Sequence, residues 1–80
     1  MIPLDEVKSL IERGIEGAVA EVNDMTGTSD HYEAVVVSAA FEGRSLIQRH
    51  KMVYDALGEA MSGPIHALKL KTMTPQQANN

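Results

Sequence analysis

The apolar residues of this chain switch between helical and strand spacing three times within 80 residues, and that succession limits the fold more than any other feature. Leu4, Val7, Leu10, Ile11, Ile15 and Ala18 recur at three- and four-residue steps, the pattern of a helix with one buried stripe. Pro3 suits its start, Asp5 and Glu6 complement the amino-terminal dipole, and Gly14 and Gly17 weaken its last turn. Residues 19–24 then alternate, with Ala20 and Val22 opposed by Glu21 and Asn23, as in a short strand. The small polar run 26–30 reads as a loop, and His31 to Ser38, rich in valine, as a second and central strand. Residues 19–38 therefore read as an antiparallel hairpin.

Phe41 to Arg44 turns the chain, and Ser45 with Gln48 has the spacing of a capping box. The helix expected over 45–61 presents Leu46, His50, Val53, Leu57 and Ala60 on one side, with Ile47, Tyr54 and Met61 widening the stripe; His50 and Tyr54 are read as structural. Arg49 is expected to point away from that stripe. Gly63-Pro64 stops the helix. From Ile65 to Met73 a third strand places His66, Leu68 and Leu70 on one face and Lys69 and Lys71 on the other. The expected domain covers residues 1–75, with 76–80 as a short polar tail. The resulting class is α+β: a three-stranded sheet covered on one face by both long helices. If the second and third strands are neighbours, the intervening helix lets them run parallel.

Composition narrows function mainly by exclusion. The absence of cysteine removes disulfides, thiolate nucleophiles and an all-cysteine metal site. The apolar runs fall short of the roughly 18 residues a membrane helix requires, so no membrane role is expected. The acid pair near the start is unlike a secretory signal, giving a cytoplasmic expectation. The net charge is −4, yet Arg44, Arg49, Lys51, Lys69 and Lys71 outnumber Asp55 and Glu59 over residues 44–71. Nucleic-acid proteins usually carry a denser basic footprint, because affinity grows with the phosphates neutralised. Ser29, Ser38, Ser45 and Ser62 sit in no nucleophile elbow, and the glycines match neither a dinucleotide fingerprint nor a P-loop; no enzyme is expected.

The histidines at 31, 50 and 66 form no local chelate. His66 is the first candidate ligand, because it follows the Gly-Pro break at a strand start, where one imidazole nitrogen can reach out from the sheet rim. His31 is second, opening the central strand. A half-site completed by another molecule needs only one or two such donors.

Val35-Val36-Val37-Ser38, Phe41-Glu42-Gly43-Arg44-Ser45-Leu46-Ile47-Gln48-Arg49-His50, Val53-Tyr54, Ile65-His66-Ala67-Leu68-Lys69-Leu70-Lys71-Thr72 and Thr74-Pro75, in this order and separation, resemble the BolA family over nearly the whole domain. The resemblance implies an α-β-β-α-α-β arrangement, similar to the type II KH fold, with a short extra helix or turn within residues 55–63. It further implies a monothiol glutaredoxin partner and a shared, glutathione-coordinated [2Fe-2S] cluster, in iron-sulfur delivery or iron regulation. His66 matches the family's carboxy-terminal His ligand. Thr28 stands at the position of the usual loop cysteine, and because a hydroxyl is a poor iron ligand, His31 is a candidate substitute. Arg49, Lys69 and Lys71 are candidate contacts to the partner or, in the rival reading as a transcriptional regulator, to DNA. A metal-independent interaction module is the third reading. The isolated chain is expected to be a monomer or weak homodimer.

Overall fold

The computed structural model describes residues 3–24, 31–62 and 67–79. Helix α1 spans Leu4–Gly14, strands β1 and β2 span Val19–Asp24 and His31–Val37, helix α2 spans Leu46–Leu57, and strand β3 spans Ala67–Met73. Short 3-10 turns occupy Ala39–Phe41 and Gly58–Ser62, and a one-turn helix, α3, covers Pro75–Ala78. The Gly58–Ser62 turn supplies the extra helical element expected within residues 55–63.

The sheet has the order β1-β2-β3. β1 pairs antiparallel with β2, and β2 pairs parallel with β3 across the α2 connection, so β2 is central as its valine-rich sequence requires. Alternation then sorts the faces. Ala20, Tyr32, Ala34 and Val36 join Val7 and Ile11 of α1, Ile15 just past its end, Val53 and Leu57 of α2, and Phe41 in one buried cluster; Leu68 and Leu70 pack against it. Both helices thus cover the same side.

Local signals act at several boundaries. The Pro3 carbonyl accepts from the amides of Glu6 and Val7 at 3.0 and 3.2 Å, starting α1. The capping box of α2 closes as its spacing predicts: Ser45 Oγ accepts from the Gln48 amide at 3.2 Å, and the Ser45 amide donates to Gln48 Oε1 at 2.9 Å. α2 ends earlier than expected, because Gly58 adopts φ +55°, a left-handed value that a chiral residue rarely takes.

Other expectations require correction. Leu46 and Ile47, placed in the buried stripe by their spacing, are 63% and 81% exposed, and Tyr54 is 40% exposed. The buried residues of α2, Val53 and Leu57, lie in its second half, so its first turn projects beyond the core. Arg49 does not turn away: its guanidinium lies over the buried Phe41 ring, 5.9 Å from the centroid. The polar end is also more ordered than a tail. Thr74 and Gln77 form a second capping box, Thr74 Oγ1 accepting from the Gln77 amide at 3.2 Å and the Thr74 amide donating to Gln77 Oε1 at 2.9 Å.

Candidate functional site

Parallel pairing brings two distant parts of the sequence to one end of the sheet. His31, the first residue of β2, is the Cα partner of Ala67, the first residue of β3. The segments feeding these strands are 25–30, which contains Thr28, and 63–66, which ends in His66. Thr28 and His66 themselves lie outside the described residues, as does the His31 side chain. Neighbouring strands stand about 4.8 Å apart, so the first residues of β2 and β3 lie side by side. His31 and Ala67 are 36 positions apart in the sequence, and the register makes them neighbours at adjacent strand starts.

The other candidates separate into different roles. Lys69 sits opposite Glu33 in the β2–β3 ladder, and its Nζ lies 3.7 Å from the Glu33 carboxylate. Lys71 is exposed and carries no ion pair among the described residues. Both lysines border a cavity of about 360 Å³ with Glu33, Val35 and Leu70. Arg49 is more committed to its own fold: Nε donates to the Arg44 carbonyl at 3.1 Å and Nη1 to Gln77 Oε1 at 3.0 Å. It ties α3 to α2.

His50 is half-buried on α2, with its ring edge-on to Tyr54 at 6.4 Å between centroids. Its Nε2 is buried without a partner among the described residues, as is Thr72 Oγ1. Among the described residues, no group of three or more His, Cys, Asp or Glu could hold a metal ion. A groove of about 600 Å³ between α1 and the end of α2 is lined by Glu6, Leu10, Ala56, Leu57, Gly58, Glu59 and Ala60, and contains none of the candidate ligands.

Gly14-Ile15-Glu16-Gly17 has the Gly-x-x-Gly spacing with which KH domains clamp a nucleotide backbone. The structure gives both glycines other work. A Cβ on Gly14 would run into Ala56, and Gly17 turns the chain at φ +68° toward β1. The exposed Glu16 between them opposes a phosphate.

Residues 11–77 match the profile of the BolA-like protein family. BolA-like protein 2 of Homo sapiens is 40% identical over 73 residues, covering 89% of this chain and 84% of its own length. BolA-like protein 1 of Mus musculus is 35% identical over 78 residues; the match covers 89% of this chain but 57% of the mouse protein. The structure of a BolA protein homologue from Coxiella burnetii has a TM-score of 0.88 at 37% identity and covers 100% of both chains. No helix among the described residues is long and apolar enough to cross a membrane. The sequence segments, the sheet order and these matches agree: the chain belongs to the BolA-like protein family.

Proposed function

We propose that this chain is an adaptor for a monothiol glutaredoxin, sharing with it a glutathione-coordinated [2Fe-2S] cluster in iron-sulfur delivery or iron regulation, with His66 as an iron ligand. The supporting observation is the pairing of His31 with Ala67, which sets the β2 and β3 entries side by side. The donor chemistry fits a half-site. Imidazoles at 66 and 31 suit iron, the Thr28 hydroxyl does not, and a chain without cysteine leaves every thiolate to the partner and glutathione. Replacing a thiolate with neutral imidazole makes a cluster less negative and raises its potential. The adaptor has no turnover chemistry of its own.

The test mixes the chain with a monothiol glutaredoxin, glutathione, iron and sulfide, and records absorption and circular dichroism. The expected result is a heterodimer spectrum, distinct from that of the glutaredoxin alone, which disappears with His66→Ala. An unchanged spectrum removes His66 from the reading. In the DNA alternative, duplex binding would weaken with salt and with loss of Lys69 or Lys71.

A further inference from the structure

The sheet face away from the helices carries an ordered pattern that the adaptor reading does not use. The ladder registers align its side chains in cross-strand rows: Val19, Val37 and Met73 in one, Glu21, Val35 and Lys71 in the next, and Asn23, Glu33 and Lys69 in the third. Val19 is 63% exposed, Val35, Val37 and Met73 are half-buried, and Glu21 and Lys71 are exposed without ion pairs among the described residues. The face carries Glu21 on β1, Val35 and Val37 beside Glu33 on β2, and Lys69 and Lys71 on β3. Its two lysines are matched by Glu21 and Glu33, so its formal charge offers no net attraction to a polyanion.

We infer that this face binds a second copy of the chain, sheet against sheet, about a two-fold axis parallel to β2. Such an axis lays β1 of one copy over β3 of the other, because two-fold interfaces present one patch to itself. Glu21 then meets Lys71 of the second copy, twice. Val35 and Val37 meet themselves on the axis, and Val19 meets Met73. Glu33 also lies near the axis, where its ion pair with Lys69 offsets its charge. An axis perpendicular to the strands would instead set Glu21 over Glu21 and Lys71 over Lys71. Charge therefore selects one geometry, compatible with the approximately 30° alignment of packed sheets.

Three short strands cover on the order of 300–400 Å² per copy. A standard stable interface buries about 800 Å² per partner, so this dimer is weak, with a dissociation constant on the order of 0.1–1 mM.

The test is sedimentation velocity from about 20 µM to about 2 mM, a range bracketing that constant. Wild-type chain is expected to associate reversibly, and less so in high salt. Lys71→Glu or Glu21→Lys alone turns two attractions into two repulsions and weakens association by roughly tenfold. An equimolar mixture of the two variants regains it, since opposite charges again meet across the axis. Both substitutions are at exposed positions, and circular dichroism checks that each variant folds. A wild-type chain monomeric across the range, single variants that associate as wild type, or a mixture without recovery overturns the inference. So does a face that captures duplex DNA through Lys71 while the chain remains monomeric. None of these readouts requires iron or a glutaredoxin, so the two proposals fail independently.

Discussion

Gly14 lies directly against Ala56, where α1 and α2 approach so closely that a Cβ on Gly14 would stand 2.9 Å from the Ala56 Cα and overlap its methyl group. Ordinarily, Gly to Ala within a helix gains up to about 1 kcal/mol. Here the obstructing atoms include backbone, so the helices must separate. Gly14→Ala is expected to destabilise the domain by about 1–3 kcal/mol, read as a lower urea midpoint. Pairing it with Ala56→Gly should recover only part of the loss. An unchanged midpoint for Gly14→Ala would contradict this packing.

Ser38 is buried at the end of β2, where its hydroxyl donates to the Glu16 carbonyl at 2.8 Å and accepts from the Ala40 amide at 3.1 Å. Ser38→Ala removes the hydroxyl that serves both bonds and leaves the Glu16 carbonyl and the Ala40 amide without it, with an expected cost of about 1–3 kcal/mol. Thermal denaturation measures it; a cost under about 0.5 kcal/mol would show that water replaces the hydroxyl freely.

Arg49 links α2, the Phe41 ring and α3. Because its ion-free contacts are partly solvated, Arg49→Ala should cost only about 1 kcal/mol. Its distinctive effect is local: hydrogen exchange at the Ala78 and Asn79 amides, which donate to Thr74 and Pro75, should accelerate. Lys71→Ala should leave those amides unchanged. Equal exchange in wild type and Arg49→Ala would limit Arg49 to a surface role.

The Nε2 of His50, buried and without a partner among the described residues, is a cost without a matching bond there. Replacing an orphaned polar group with an apolar one of similar size removes that cost, so His50→Leu is expected to be neutral or to stabilise by up to about 1 kcal/mol. In the reconstituted complex it should leave the cluster spectrum unchanged. A loss of that spectrum in a folded variant would make His50 a participant in the site.

The second ligand is addressed by changing donor chemistry at residues 28 and 31. Thr28→Cys would supply a thiolate in the segment that leads into β2, and is expected to slow cluster loss to a chelator; His31→Ala should speed it, each by roughly tenfold or more. If His31→Ala leaves the rate unchanged, the imidazole at 31 is not the substitute ligand.

The order of elements and several of their ends follow from local sequence. Helical and strand periods, the Ser45–Gln48 box and the valine-rich central strand depend on neighbours within a few residues, so they are legible without coordinates. The sequence also excludes a thiolate of this chain from any metal site, because the chain has no cysteine. The tertiary structure alone decided which part of α2 meets the core, leaving Leu46 and Ile47 exposed although they satisfy the helical stripe. It drew Phe41, read as a turn residue, into the core and placed Arg49 over it. Only strand register could bring position 31 beside position 67, or align Glu21, Val35 and Lys71 in one row. Periodicity identifies which side of an element is apolar; it contains no information about how far that side extends over its neighbours, since that is fixed by contacts between residues distant in the chain.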